Sequence, residues 1–274
     1  MVETPAQDLL AEKPEIFIPF DDRRLDELGH IPNLTIGEIA GRDSIAAILK
    51  SLEDDTVGAI LPIAVYTGTE YGDWQSSHRN TAFLRQAAQR RFGKLVLDLA
   101  WMGSPPLWWA LNGRFITAMV QRFGRYSPCL GCHFYLHAVR IPLAVRLGCT
   151  VVVGGDRERH DGTVKINQMA PVLDAYERFF RRFGLELRQP LRAVDDTTEI
   201  DAILGPAWPG QSPQPRCVLS GNYRALDDSA GWAESEVIEF IDGFAHPVLE
   251  RIIAGLVEGR SMDYQQVVKE HLSL

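Results

Sequence analysis

The chain lacks a hydrophobic run long enough to span a membrane. Its apolar stretches, such as residues 58–66 and 150–155, fall well short of the roughly 18 residues that a bilayer requires. Residues 1–13 show no basic segment followed by an apolar one, so we expect no secretory signal. These absences predict a cytoplasmic protein without a membrane partner.

The chain also lacks an excess of positive charge and has few cysteines. A net charge of −8 argues against a basic coat for nucleic acid, although a local basic groove stays open. The chain has four cysteines, and in a reducing compartment we expect them not to form a disulfide framework. Cys149 opens a hydrophobic segment and is expected to be a buried core thiol.

Apolar runs alternate with amphipathic segments between residues 33 and 195, which predicts an α/β fold with a doubly wound parallel sheet. Pro62 lies inside one run and suggests a bulge or an edge there. We expect an N-terminal arm (1–32), a nucleotide-binding domain with a cysteine site (33–222) and a helical C-terminal region (223–274). The predicted strands are 33–40, 58–66, 94–99 and 150–154, and the predicted helices are 43–52, 80–92, 106–123, 132–147 and 169–183.

Small and polar residues follow the first two predicted strands. Such loops let backbone N–H groups approach a phosphate, and the following helix adds its positive N-terminal end. Because ligands bind at the carboxyl ends of parallel strands, both loops favour a nucleotide site. Helix capping by Asp43 and Ser44, and an ordinary loop after the second strand, are the plainer alternatives. The candidate nucleotide-binding residues here are Ala40, Gly41, Arg42, Asp43, Ser44, Tyr66, Thr67 and Gly68.

A Cys-X-X-Cys pair, Cys129 and Cys132, opens a predicted helix, and Cys217 follows far downstream. A thiolate at a helix N-terminus has a lowered pKa, which suits metal binding. Three cysteines can hold an iron–sulfur cubane with one iron free of protein ligands. Zinc with His133 or His137 as a fourth ligand is an alternative, and a redox pair or inert thiols are another.

A charged loop follows the strand at residue 150. Gly154 and Gly155 precede a run of acidic and basic residues that includes Asp161, and Lys165 lies close behind. Such a loop suits a phosphate or Mg²⁺ site, with Asp161 and Lys165 as candidate catalytic groups. A solvated surface loop is the alternative.

In this order the motifs resemble the PP-loop ATP-pyrophosphatase superfamily, whose phosphate loop reads SGGxDS. Residues 39–44 keep the second glycine, the aspartate and the serine of that loop. Within the superfamily the chain is similar to the two-thiocytidine and two-thiouridine synthetases, which thiolate tRNA. Those enzymes hold a [4Fe–4S] cluster with a CxxC pair and a third, later cysteine, as Cys129, Cys132 and Cys217 are spaced here.

The resemblance implies an enzyme that uses Mg²⁺ and ATP to adenylate a carbonyl oxygen and then transfers sulfur to the carbon. Cys217 would serve both as cluster ligand and in catalysis. The implied partners are ATP, a sulfur donor and an acceptor, either tRNA or a free heterocyclic metabolite. The acidic net charge inclines the prediction to the metabolite.

Two rival interpretations of the protein stay open beside this one. Residues 66–68 also resemble a segment of the sulfonucleotide reductases, but no cysteine follows Cys217 as those enzymes would need. A nucleotide-binding module with a structural zinc is the non-catalytic rival. The aromatic residues Trp101, Trp108, Trp109 and Phe115 suit either a wall for a planar base or core and interface packing. A homodimer therefore stays open.

Overall fold

The computed structural model describes residues 12–210 and 214–274. The strands are β1 (Leu34–Glu38), β2 (Ala59–Tyr66), β3 (Glu70–Tyr71), β4 (Leu95–Val96), β5 (Ala100–Gly103), β6 (Val151–Val153), β7 (Glu186–Arg188) and β8 (Arg216–Cys217). The helices before β6 are α1 (Asp22–Gly29), α2 (Arg42–Ser51), α3 (Gln75–Phe92), α4 (Pro105–Asn112), α5 (Ile116–Phe123), α6 (Pro128–Ala138) and α7 (Ile141–Arg146). The later ones are α8 (Ala170–Arg181), α9 (Thr197–Leu204), α10 (Glu234–Phe240), α11 (His246–Val257) and α12 (Tyr264–Leu272).

The central sheet is parallel and has helices on both faces. Its described strands follow the order β4-β2-β1-β6-β7, and β5 also pairs with β2. Side chains alternate along the strands, so that Leu61 and Ile63 enter one core and Ile60 and Ala64 enter the other. The predicted doubly wound parallel α/β fold is confirmed.

Pro62 lies in a central strand, so the predicted bulge or edge is wrong. It is in register with Gly37 of β1. On the opposite side of β2, Ile60 accepts a hydrogen bond from the N–H of Leu97, and β5 begins its pairing only at Ile63. Because backbone groups alternate between the two sides of a strand, the missing N–H of Pro62 falls in the gap between β4 and β5. The sheet therefore tolerates proline here without losing a ladder bond.

The ends of several predicted elements shift. The predicted strand 94–99 is only β4, and the short β5 follows it as an additional strand. The predicted helix 106–123 is two helices, α4 and α5, because the first ends at Asn112. The predicted helix 132–147 is likewise two helices, α6 and α7, which separate just before Pro142. Gly113 directly follows the first break, where a helix interior would be weakened by glycine.

The C-terminal helices pack onto the same core as the domain before them. Phe240 meets Phe123 with ring centroids 5.5 Å apart, and both belong to the cluster that also holds Phe134 and Phe179.

The N-terminal arm is joined to the sheet, because Ile16 exchanges two backbone hydrogen bonds with Gly103. Residues 1–11 of the arm lie outside the described residues. None of the described helices combines the length and apolar character of a membrane span.

Candidate functional site

The loop after β1 is held closed by a serine. Ser44 Oγ accepts a hydrogen bond from the N–H of Ala40 at 3.0 Å and donates to the carbonyl of Gly41 at 2.8 Å. Gly155, from the loop after β6, packs against this turn so closely that a Cβ would lie 2.6 Å from the backbone nitrogen of Ser44. The two predicted glycine loops thus meet at the carboxyl ends of β1 and β6, where Gly154 also lies.

The charged side chains of this loop are bound to the protein. Asp43 Oδ2 accepts a hydrogen bond from Nε of the buried Arg157 at 3.0 Å. Arg42 lies 3.2 Å from Asp201 on α9. An anion at this loop would consequently meet backbone N–H groups rather than these side chains. The side chain of Gln214 covers Gly41, where a Cβ would overlap its Oε1.

The loop after β2 is shaped by one carboxylate. Glu70 accepts hydrogen bonds from the N–H of Thr67 at 2.8 Å, from the Thr67 hydroxyl at 2.7 Å and from the N–H of Gly68 at 2.9 Å. Gly68 has a φ of +100°, a conformation that favours glycine. Tyr66 is buried behind this loop, and burial together with Glu15 raises its pKa to about 12.

The three predicted metal-binding cysteines line one cavity of about 540 Å³. Cys129 and Cys132 lie in the first turns of α6, which Ser127 caps by accepting a hydrogen bond from the N–H of Cys129 at 3.3 Å. Cys217 comes from β8, an antiparallel partner of β3. Its sulfur accepts a hydrogen bond from the N–H of Leu219 at 3.3 Å and lies 3.3 Å from Thr69 Oγ1.

At least one pair of these sulfurs lies more than 4.8 Å apart, which is wider than one zinc ion would hold them. Among the described residues, the set of ligand atoms that all lie within 4.8 Å of one another does not include the three cysteines. Thiolates on one tetrahedral zinc lie roughly 3.8 Å apart, because Zn–S bonds are about 2.3 Å long. A cubane places each thiolate on a different iron and needs a wider set, and the N–H···S bond to Cys217 is typical of cluster ligands.

Burial opposes ionisation of the Cys129 and Cys132 thiols, so the lowered pKa expected for a thiol at a helix N-terminus is wrong here. Burial raises the pKa of Cys129 to about 11 and raises that of Cys132 further. Binding of iron or zinc would displace these protons. Cys149 lies elsewhere, is 5% exposed and has a pKa raised by burial to about 12, which confirms its prediction as a core thiol.

The cavity wall is both aromatic and cationic. Trp74 and Trp101 lie at it with ring centroids 5.6 Å apart, and the buried Nε1 of Trp101 has no hydrogen-bond partner among the described residues. Lys165 and Arg224 supply positive charge, and burial lowers the pKa of Lys165. The other predicted aromatic residues do not join the wall, since Trp108 and Phe115 are buried in the core and Trp109 is 49% exposed.

Of two other predicted site residues, His133 lies at the cavity and Asp161 does not. His133 lies at the cavity, and burial lowers its pKa to about 4, so that it is neutral at pH 7. Asp161 lies away from the cavity, where its carboxylate accepts bonds from the N–H of Thr197 at 2.9 Å and from its hydroxyl at 2.6 Å. Lys165 therefore lines the same cavity as the three cysteines. Asp161 instead binds Thr197, the first residue of α9.

Several cavity residues carry no pattern in the sequence that would predict them. Trp74, Gln214 and Arg224 lie at the wall without any motif that marks them. Glu70 differs, because it belongs to the polar segment after the second predicted strand. The others reach the cavity through strand pairing and loop packing that the linear sequence does not display.

No protein-family model matches the chain. A solved structure, the U34-tRNA thiolase NcsA from Methanococcus maripaludis with its [4Fe–4S] cluster, is 12% identical with a TM-score of 0.38, covering 88% of this chain and 81% of that one. A likeness of that degree carries no inference. A protein of Methanocaldococcus jannaschii, named uncharacterized protein MJ0009, is 36% identical over 238 residues, which are 86% of this chain and 85% of the relative. The chain belongs to the same family as that Methanocaldococcus protein.

Proposed function

We propose that the protein is an ATP-dependent sulfurtransferase of the PP-loop ATP-pyrophosphatase type. It would replace a carbonyl oxygen of a nucleobase or heterocyclic metabolite with sulfur. One observation carries the proposal: three cysteines from distant segments line the same cavity as the loops after β1 and β2, together with Lys165. Sulfur chemistry and nucleotide activation would thus share one space.

Mg-ATP would bind across the carboxyl ends of β1 and β2. Its phosphates would meet the backbone N–H groups of residues 41–43 and the positive end of α2, because the N–H of Ala40 donates to Ser44 Oγ. The side chains of Arg42 and Asp43 support this turn from behind through their ion pairs. The adenine would lie beside Ile39 and the loop after β2, near Thr67 and Thr69.

Cys129, Cys132 and Cys217 would hold a [4Fe–4S] cluster. When bound, the cluster supplies an iron without a protein ligand, where inorganic sulfide can be held. The chain's own residues set the surroundings of this position: Leu219 donates its N–H to the Cys217 sulfur at 3.3 Å, and α6 directs its N-terminal end at the two other thiolates.

The reaction would proceed in two displacements. The substrate carbonyl oxygen attacks the α-phosphorus of ATP, a new O–P bond forms, and pyrophosphate leaves with the electrons of the broken P–O bond. Sulfide then attacks the activated carbon, a C–S bond forms, and AMP leaves with the oxygen. Lys165 would stabilise the charge that develops on the phosphates. The products are a thiocarbonyl, AMP and pyrophosphate.

The composition of the wall favours a planar, electron-rich acceptor. Two tryptophans offer a stacking surface, and Arg216 and Arg224 offer positive charge near Cys217. These features suit a pyrimidine-like ring, either free or within tRNA.

The proposal is tested by following AMP, pyrophosphate and thiolated product together under anaerobic conditions. Protein reconstituted with iron and sulfide is given ATP, sulfide and a panel of pyrimidine bases, nucleosides and tRNA. We expect the three products in equal amounts, loss of all thiolation in Cys217→Ser, and full activity in the control Cys149→Ala. Unchanged thiolation in Cys217→Ser would contradict the mechanism. Absence of AMP formation with every acceptor would favour the nucleotide-binding module.

A further inference from the structure

Three potential metal ligands converge behind the cavity, at a place that the sulfur chemistry does not use. Glu38 ends β1, His137 lies on α6 and Asp156 follows β6, and their ligand atoms all lie within 4.8 Å of one another. His137 and Asp156 are buried, and the Glu38 side chain is 16% exposed. None of the three lines the cysteine cavity.

The protein holds both oxygens of Glu38, since Oε2 accepts a hydrogen bond from the N–H of Gly155 at 3.4 Å, but it leaves one oxygen of Asp156 open. Asp156 Oδ1 accepts a hydrogen bond from Gln168 at 3.0 Å, and Glu38 Oε1 lies 3.2 Å from the Arg140 guanidinium. Asp156 Oδ2 is buried without a hydrogen-bond partner among the described residues, although His137 Nε2 lies 3.1 Å away. Leaving such an oxygen unsatisfied is costly.

Gly154 leaves a space between the three groups. A Cβ at this residue would lie 3.3 Å from Asp156 Oδ2, 3.4 Å from His137 Cε1 and 3.5 Å from Glu38 Oε2. One small position thus touches both carboxylates and the imidazole. A glycine here keeps that position free of protein atoms.

We propose that Glu38, His137 and Asp156 bind a divalent transition-metal ion such as Mn²⁺ or Zn²⁺. One imidazole nitrogen and two carboxylate oxygens are the donors that such ions accept. Arg140 and Gln168 act as outer partners that orient the two carboxylates. The bound ion joins the ends of β1 and β6 to α6, and so supports the phosphate turn and the helix that carries Cys129 and Cys132.

The competing account is a pair of direct contacts, with Arg140 neutralising Glu38 and His137 Nε2 donating a hydrogen bond to Asp156 Oδ2, 3.1 Å away. That account, like the metal site, leaves Nε and Nη1 of Arg140 and Nδ1 of His137 without partners among the described residues. It also predicts no affinity for metal ions. The two accounts therefore differ in a measurable way.

The test uses the full chain in which Cys129, Cys132 and Cys217 are replaced by serine, so that thiols at the cavity bind no metal. Mn²⁺ binding is followed by electron paramagnetic resonance, and Zn²⁺ binding by elemental analysis after dialysis. We expect one ion per chain and a higher thermal unfolding midpoint with metal. Binding of neither ion by this parent protein would overturn the proposal.

Gly154→Ala, added to the parent, places a methyl group 3.3 Å from Asp156 Oδ2, 3.4 Å from His137 Cε1 and 3.5 Å from Glu38 Oε2, where it crowds the three groups around an ion. We expect a folded protein whose metal affinity falls by about 100-fold or more. Gly29→Ala is the matched control, because its Cβ would lie 3.7 Å from the nearest atom, the carbonyl oxygen of Leu147, far from the site.

If Gly154→Ala does not fold, Glu38→Gln keeps the shape of the side chain and should lose the ion. Retained affinity in a folded Gly154→Ala or Glu38→Gln variant would overturn the proposal. The thiolation assay on the unmodified cysteines reports on the sulfurtransferase separately, so failure of the metal site and failure of the proposed function can be told apart.

Discussion

Cys217 is the register partner of Glu70 in the antiparallel pair of β3 and β8. The same Glu70 carboxylate closes the turn after β2 through three hydrogen bonds. The position of the third cysteine thus depends on the loop that would also face the nucleotide. A change in the turn after β2 should therefore shift Cys217, and a change at Cys217 should disturb the turn.

Glu70→Ala should lower the iron content of reconstituted protein although every cysteine is kept. Loss of a charged acceptor of three hydrogen bonds should cost about 1–3 kcal/mol of local stability, which loosens the turn and displaces β8. Iron per chain and urea unfolding measure the two effects. Glu53→Ala, at an exposed residue, serves as control. Full iron content in Glu70→Ala would show that the turn does not position Cys217.

Gly155→Ala should destabilise the protein and abolish ATP binding. Its Cβ would lie 2.6 Å from the backbone of Ser44, which cannot move without opening the phosphate turn. Overpacking of this kind costs about 1–3 kcal/mol. Urea unfolding and calorimetric titration with Mg-ATP measure both effects. Gly29→Ala, whose Cβ would lie 3.7 Å from its nearest atom, should keep ATP binding, and equal behaviour of the two variants would contradict the packing argument.

Lys165→Ala should reduce kcat for pyrophosphate release about 100-fold or more, the usual effect of removing one charge-stabilising group. KM for ATP should change much less, because backbone N–H groups rather than Lys165 would hold the phosphates. Steady-state kinetics separate the two constants. Lys269→Ala, on α12, is the control and should match the unchanged protein. A rise in KM with constant kcat would place Lys165 in binding instead.

Stability should fall as the pH drops below the ordinary histidine range, and His246 should account for part of the loss. Burial lowers the pKa of His246, which lies between Phe134 and Phe179. The unfolded chain takes up the proton near pH 6.5, so stability present above that pH is lost as the pH falls through the lowered pKa. His246→Phe should keep the ring packing and show a weaker pH dependence in urea unfolding. The same slope in both proteins would exclude this role.

The order of strands and helices is predictable because buried parallel strands leave near-continuous apolar runs. The strand β5 is not predictable in this way, because Ala100–Gly103 is short and follows β4 after only three residues. The place of Pro62 is not predictable either, because its neighbours across the sheet, which leave a gap at its missing N–H, come from distant residues. Local composition does not contain that information.

The candidate site is predictable only where one segment carries its own chemical pattern. The CxxC pair and the loops after β1, β2 and β6 are of this kind. The group of Glu38, His137 and Asp156 is not predictable from the sequence, because each residue alone resembles an ordinary strand, helix or loop residue. Only the meeting of β1, β6 and α6 brings them within 4.8 Å of one another.

The proposed mechanism depends on which metal cofactor Cys129, Cys132 and Cys217 bind. The most direct measurement is anaerobic purification of the full chain, followed by iron, zinc and acid-labile sulfide analysis and a visible spectrum. We predict a brown protein with about four irons and four sulfides per chain, and a colourless Cys217→Ser variant. Zinc at the three cysteines without iron or sulfide would contradict the account and make the cysteines structural.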